Sequence, residues 1–325
     1  MSEDKKPKEM PMNVRGRLVK FLHAVYRRLR SVKFLRAVYN CLAPKTRLFL
    51  RNVRVRLVRL IKRQDEYTPA TIGVLQMVWG DGFLSPGGEA HLDKIVAGLD
   101  LQDKLVLDIG CAIGGFDVLL AQKYGAQVIG LDVEAHLLDH GRKRVADAGL
   151  SGQIDLQLYD PGPLPFPNEK FDVVFSNGSW MYIKDKRGLF AEIFRVLKPG
   201  GILTAGDWLR SDRPYNDDMY YFFLMEGLSY HLNTLENYGA ILRETGFVDV
   251  NLVDIHNEYQ VMVHEEYKQL QTTFSDILLE TFGEERRANF IEAWRALVVV
   301  VDAGDLRPGQ FRARKPQEYS EGVFK

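Results

Sequence analysis

Residues 104–132 read KLVLDIGCAIGGFDVLLAQKYGAQVIGLD, and this stretch decides the fold. Leu105, Val106 and Leu107 form an apolar run too short for a helix, which predicts a strand buried on both faces. Asp108 closes it. Gly110, Ala112, Gly114 and Gly115 then permit a sharp turn and, carrying little or no side chain, leave room for a ligand to approach the backbone. From Phe116 the apolar residues Phe116, Leu119, Leu120 and Tyr124 recur at helical spacing. Gly125 stops that helix, and residues 127–131 form a second apolar strand ending at Asp132. The result is a β-α-β unit. Its turn and the free N–H groups of the helix suit the polar end of a ligand, while Asp132 suits both hydroxyls of a ribose.

The glycine spacing does not follow the dinucleotide fingerprint G-x-G-x-x-G. Asp108-Ile-Gly-Cys-Ala-Ile-Gly-Gly instead places an acid before the first glycine, and in this it resembles the class I S-adenosylmethionine-dependent methyltransferases, with Ala112 standing where that family usually has its middle glycine. A glycine-rich turn that binds nothing is the bland alternative, and the strands that follow weigh against it. Residues 154–158 read as a third strand ended by Tyr159-Asp160-Pro161. A proline-rich loop leads to Phe171-Asp-Val-Val-Phe-Ser176, a fourth buried strand. Residues 187–197 carry Leu189, Phe190, Ile193 and Leu197 on one helical face and stop at Lys198-Pro-Gly-Gly201, before a fifth strand over 202–205. Phe-Asp-Val-Val and Leu-Lys-Pro-Gly-Gly are both frequent in the family. The resemblance implies a Rossmann-like α/β sheet of seven strands, mostly parallel, over most of the chain beyond Tyr67. It also implies S-adenosyl-L-methionine as cofactor, held by Asp108, Gly110, Gly114, Asp132, Val133, Asp160, Pro161 and Asn177.

The 325 residues, 46% hydrophobic and 11% aromatic, are ordinary for a globular chain with room for one large α/β domain and an accessory segment. Two cysteines, Cys41 and Cys111, offer neither metal spacing nor a disulfide framework, which makes a reducing, cytoplasmic setting the default and leaves no metal expected. No apolar run approaches a membrane span in length. The net charge of zero conceals an asymmetry. Residues 1–64 hold 19 basic residues against three acids, a net of about +16. Within them Leu18, Leu22, Val25, Leu29, Val32, Leu35, Tyr39 and Leu42 recur at steps of three and four, which predicts a basic amphipathic helix. The hexapeptide Phe21-Leu-His-Ala-Val-Tyr26 returns thirteen residues later as Phe34-Leu-Arg-Ala-Val-Tyr39. Such a face suits the anionic surface of a membrane's inner leaflet. Docking on the acidic remainder or another subunit, nucleic-acid binding and a cleaved targeting peptide are the alternatives. The composition turns to mixed charge after Gln64, so the boundary falls there, with a methyltransferase domain over 65–325.

Within that domain residues 65–88 are expected as a lid over the pocket, 104–206 as the cofactor core and 207–238 as the cover of an acceptor pocket. Tyr67, a helix, Trp79-Gly80 and Leu84-Ser-Pro-Gly-Gly88 are similar to the start of the phosphoethanolamine N-methyltransferases. That resemblance implies that Leu84 and Ser85 contact the cofactor and that Tyr67 sits beside the transferred methyl group, rather than merely capping the lid helix. The aromatics Trp208, Tyr215, Tyr220, Tyr221, Phe222, Phe223, Tyr230 and Tyr238 would cover the carboxyl ends of the sheet, where open α/β folds bind ligands; packing of the core between lid and sheet is the better explanation for most of them. That placement makes Trp208 a candidate for the acceptor pocket; by the resemblance Tyr230 lines it and Arg312, on a last strand, stands where the family has a phosphate-binding lysine. Gly178 replaces an acid and Tyr182 a histidine, and Arg210 and Arg213 are the candidate substitutes for a missing arginine. Tyr67 and Tyr182 are cast as orienting partners and His231 as the candidate base. The implied reaction is methylation of a small polar or lipid-headgroup acceptor, foremost an ethanolamine-like amine. O- or S-methylation of an acidic molecule or glycan, and a cofactor-binding adapter without turnover, are the competing readings. Past Tyr238 a helix, a strand over 248–255 and a strongly helical stretch over 267–297 complete the domain.

Overall fold

The computed structural model describes residues 67–227 and 230–317, so the amphipathic helix expected near the N-terminus lies outside the described residues. Helix α1 (Pro69–Trp79) starts behind Thr68, whose hydroxyl accepts the Thr71 N–H at 3.2 Å, with proline in the first turn where its missing N–H costs nothing. After α2 (Gly88–Ile95) come β1 (Leu105–Ile109), α3 (Gly115–Tyr124), β2 (Gln127–Asp132), α4 (Ala135–Asp147), β3 (Ile154–Leu158) and β4 (Phe171–Asn177). A single 3₁₀ turn, Trp180–Tyr182, precedes α5 (Lys186–Val196) and β5 (Leu197–Asp207). The chain then runs through α6 (Asp217–Glu226), α7 (Leu235–Thr245), β6 (Val248–Asp254), α8 (His256–Gln271), α9 (Ser275–Asp302) and β7 (Gly309–Arg314).

The sheet has seven strands in the order β3-β2-β1-β4-β5-β7-β6. β1 to β5 pair in parallel, and β7 runs antiparallel to both β5 and β6. The strand order reverses between β1 and β4, and the crevice outside the carboxyl ends at such a reversal is where open α/β sheets bind their ligands. Burial on both faces explains the unbroken apolar reading of β1: Val106 and Leu107 point to opposite sides, and neither is exposed. Leu107 joins Trp180, Phe190, Tyr238 and Phe311 in one core layer, while Val106 joins Phe116, Leu120, Leu138 and Phe175 in the other.

The structure refines three expectations. The helical stretch expected over 267–297 is present as parts of two helices, α8 and α9, parted at 272–274, and Gly283 inside α9 has a φ of +77° that breaks the helical path. The fifth strand starts at Leu197 and includes the Lys198-Pro-Gly-Gly stretch expected as a turn. The aromatic segment contains a helix, α6, capped by the Asn216 side chain. Among the described residues no helix is long and apolar enough to cross a membrane.

Candidate functional site

The β1–α3 turn is tied to the end of β2. Gly110 and Cys111 donate their N–H groups to the Leu131 carbonyl at 2.8 and 3.0 Å. Asp132 then holds the turn from the side: Oδ2 accepts the Ala112 N–H and Oδ1 the Glu134 N–H, each at 2.9 Å. A carboxylate offers about four lone-pair directions, so Asp132 is fixed in aim with acceptor capacity to spare for two hydroxyls. Gly110 corrects the sequence reading. Its φ is +92°, and the space beside it belongs to Ser179 rather than to a ligand: a Cβ there would lie 2.3 Å from the serine Cβ and Oγ.

Behind the turn lies a group of acids. Asp108 is 1% exposed and Asp117, on α3, is fully buried. Oδ1 of Asp108 and both oxygens of Asp117 have no hydrogen-bond partner among the described residues. Burial holds the Asp108 carboxyl well above its ordinary range, with Asp117 and Asp132 adding to the effect. Burial likewise pushes Asp117 up to about 7. Asp132 is raised by burial against the opposing N–H bonds of Glu134, Ala112 and Val133. Next to these acids the strand ends present an apolar rim. Val133 is 53% and Leu158 57% exposed, and Leu158 lies opposite Asp132 in the β2–β3 register. Asp160 and Pro161 follow on the surface. An acceptor for paired hydroxyls, buried acids with hydrogen-bonding capacity left unfilled and an apolar rim suit a nucleoside with a polar tail.

Residues 67–88 close over this place. The His136 Nε2 meets the Tyr67 carbonyl at 3.0 Å, and Tyr67, Leu84 and Ala112 pack on Ile72, Ile113 and Leu137. Arg144 grips Asp81 at 2.7 and 2.8 Å and the Gln76 side chain at 3.0 Å. The Gly82 backbone lies directly on Gly115, where a Cβ would come within 2.1 Å of the Gly82 carbonyl oxygen. Farther along, the Asn177 amide donates to Ser85 Oγ at 2.8 Å, and its oxygen meets His91 Nε2 at 3.1 Å. Burial lowers His91 to about 4. The ring is therefore neutral, and with its proton assigned to Nε2 its Nδ1 faces the Gln310 amide at 3.4 Å.

On the acceptor side the candidates divide between two hollows. Ser85, Asn177, Gly178, Trp208, Tyr259 and Met262 line one cavity, in which Trp208 stands edge-on to Tyr259 with ring centres 4.8 Å apart. Lys184, Arg210, Tyr215, Tyr230 and His231 line an open groove. Tyr182 stacks on Tyr230 at 5.6 Å. His231 is exposed and donates its backbone N–H to the Met181 carbonyl at 2.8 Å. Arg210 donates to the Ser211 and Arg213 carbonyls and lies over the Tyr215 ring. Arg312 is not brought to either hollow. It pairs with Thr204, deeper in the sheet, and donates to the Ala97 and Ile95 carbonyls at the end of α2, at 2.8 and 2.5 Å.

Comparison with known proteins accounts for this arrangement. Residues 107–205 match the family described as "Methyltransferase domain". Phosphoethanolamine N-methyltransferase 1 of Zea mays is 30% identical over 251 residues, 77% of this chain and 49% of that protein, so the chain spans about half the length of this relative. Methyltransferase GfsG of Streptomyces halstedii is 30% identical over 217 residues, 65% of this chain and 75% of that protein. The chain belongs to the class I S-adenosylmethionine-dependent methyltransferases. Phosphoethanolamine N-methyltransferase 2 of Haemonchus contortus, solved with phosphomonomethylethanolamine and S-adenosylhomocysteine, superposes on this methyltransferase with a TM-score of 0.73 at 25% identity, covering 80% of this chain and 61% of that one.

Four groups around the methyltransferase site escaped sequence reasoning: Asp117, His91, Glu266 and Lys186. Lys186 is 3% exposed and donates to the Trp180, Ile183 and His231 carbonyls, which fastens the 3₁₀ turn bearing Tyr182 to the segment bearing Tyr230. Burial lowers its ammonium to about 8 against the pull of Asp207. Asp207, buried at the end of β5, accepts the Tyr238 hydroxyl at 2.6 Å. The departures at Gly178 and Tyr182 also have a structural counterpart. At Gly178 the φ is +70° and a Cβ would approach the Ser85 Cβ to 3.2 Å, so a side chain there would strain the backbone and press the lid loop outward by a few tenths of an ångström.

Proposed function

We propose that this methyltransferase moves a methyl group from S-adenosyl-L-methionine to a small polar acceptor, with an ethanolamine-type phosphobase amine as the leading acceptor class. The observation that carries the reading is the wall shared by Ser85 and Asn177 of the cofactor set with Gly178 and Trp208 of the acceptor set. One cavity thereby adjoins both partners. The residues fit the cofactor: Asp132 for the ribose hydroxyls, Val133, Leu158 and Asp160 for the adenine, Asp108 and the turn for the amino acid end, and Tyr67, Leu84 and Ser85 above it. Bound there, the cofactor supplies a methyl group already activated by its sulfonium sulfur. The protein's share is to align the acceptor and exclude water, a positioning effect worth up to about 7 to 11 kcal/mol. Tyr67 and Tyr182 orient the acceptor through their hydroxyls. Trp208 offers an aromatic ring that favours an amine's positive charge before it is lost, Tyr230 holds Tyr182 in place by stacking on it, and His231 at the rim takes the departing proton to solvent.

The test is product mass after incubation with phosphoethanolamine, other amines and hydroxy acids. Addition of 14 mass units (roughly one CH₂) to phosphoethanolamine, lost in Tyr67→Phe, supports the reading; cofactor binding without any transfer favours the adapter. A second reading, O- or S-methylation of an anionic acceptor, is favoured by Gly178 in place of an acid and by Lys184, Arg210 and His231 around the groove. Methylation of hydroxy acids alone would select it. The basic stripe within residues 10–63 supports a peripheral position on an anionic membrane. Deleting residues 1–63 should abolish cosedimentation with phosphatidylserine vesicles, and unchanged cosedimentation would remove that part.

A further inference from the structure

Glu266 on α8 is a carboxylate 6% exposed, inside the domain and away from solvent. Its oxygens each accept an indole N–H at 3.0 Å, Oε1 from Trp79 and Oε2 from Trp294. The Tyr259 hydroxyl points to Oε2 at 3.5 Å. The donors come from three places. Trp79 is the last residue of lid helix α1, six residues before Ser85. Trp294 is on α9, where its ring lies 5.8 Å from that of Trp79. Tyr259 is two turns before Glu266 on the same face of α8, is itself 3% exposed, and holds Trp208 edge-on in the acceptor cavity.

A buried carboxylate left with fewer donors is costly, so each of the three groups is held in place by the need to satisfy one anion. Burial raises the Glu266 carboxyl, and the bonds from Trp294, Trp79 and Tyr259 oppose that shift. The lid's outer edge has a separate fastening, the Arg144–Asp81 pair, which touches nothing on the acceptor side. Glu266 thus touches both the lid helix and the Tyr259 side of the acceptor wall, at a point separate from the Asn177–Ser85 bond at the cavity mouth.

We infer that Glu266 is a positioning residue that couples the seating of lid helix α1 to the placement of Tyr259 and Trp208 in the acceptor wall. Cofactor closure and acceptor alignment are then one event rather than two. The coupling holds whichever acceptor the enzyme takes. Trp79 lines neither hollow, so Trp79→Phe, which keeps an aromatic ring and removes the N–H, isolates the effect.

The test uses the full chain with phosphoethanolamine as the acceptor probe. Trp79→Phe and Glu266→Gln should each raise the acceptor KM about tenfold, the loss for one bond to a charged group, and should weaken S-adenosylhomocysteine binding in step, because one seating of the lid serves both ligands. The double variant should be no worse than Glu266→Gln alone, because both changes break one connection. A change in cofactor affinity alone, or additive losses, would overturn the coupling. Hydrogen exchange without any ligand gives a reading independent of the acceptor's identity. Trp79→Phe should speed exchange roughly threefold or more both in residues 67–85 and in residues 205–210. Acceleration confined to 67–85 would also overturn it, whereas absent turnover of phosphoethanolamine with exchange coupled as stated would discard only the acceptor.

Discussion

Gly110→Ala isolates what the glycine turn is for. The residue sits at φ +92°, and a Cβ would lie 2.3 Å from both Cβ and Oγ of Ser179. That serine is not free to retreat, since its Oγ bonds the Ile109 carbonyl at 2.6 Å and meets Ser176 Oγ at 2.7 Å. The backbone conformation costs an L residue about 1 to 2 kcal/mol, the overlap about 1 to 3 kcal/mol, and each displaced hydrogen bond about 1 kcal/mol. The alanine variant should therefore lose roughly 3 to 5 kcal/mol. Its midpoint should drop by roughly 6 to 20 °C, at about 2 to 4 °C per kcal/mol for a domain of this size. Ser179→Gly removes the overlap while leaving the backbone strain, so the double variant should recover about 1 to 3 kcal/mol relative to additivity. Thermal and urea unfolding of the four proteins, in the absence of ligand, measures the cycle. Additive losses, or a Gly110→Ala protein with an unchanged midpoint and reduced cofactor affinity, would return to the ligand the space that Ser179 fills.

Asp132→Asn keeps one acceptor oxygen but loses the charge that holds both N–H groups and the ribose; calorimetry should show S-adenosylhomocysteine binding weakened roughly 10- to 100-fold, and a change under threefold would argue against the ribose role. Asp117 has a folded pKa raised above its unfolded value, so the native state keeps a proton that the unfolded chain releases, and stability falls as pH climbs from about 4 through about 7. In Asp117→Asn that decline should flatten, leaving the variant more stable than wild type at pH 8; an equal slope in urea unfolding from pH 5 to pH 8 would contradict the placement of this acid. Arg312→Leu should lower the unfolding midpoint by freeing the end of α2 while leaving the acceptor KM within about threefold; a large KM increase at constant stability would make Arg312 an acceptor-binding residue after all.

The β1–α3–β2 unit could be read in the sequence because each of its signals is local: an apolar run of three, a glycine turn, a helical stripe and a second apolar run. β6 and β7 pair antiparallel only in three dimensions, and nothing within Arg312's neighbourhood in sequence announces that its guanidinium will cap α2. Helix α6 was hidden for another reason. Tyr220, Tyr221, Phe222 and Phe223 are consecutive, so no helical period shows. Single polar residues were the hardest to weigh. Asp117 interrupts Phe116 and Val118-Leu-Leu120, and an acid inside a buried helical face was the available signal; Glu266 lies among Glu265 and Tyr267 and looks like part of a solvated face until Trp79 and Trp294 are seen on it.

The seat of Gly82 on Gly115 bears on how molecules get in and out. Two backbones meet there, with the Arg144 guanidinium beside Gly82, so opening requires the loop backbone to lift as well as that side chain to let go. The loop either rests on the first turn of α3 or has left it, and admission to the cleft is governed by the lifetime of the detached form. Substrate capture should then show one relaxation rate that ceases to climb at high ligand concentration, as a gate with two positions requires.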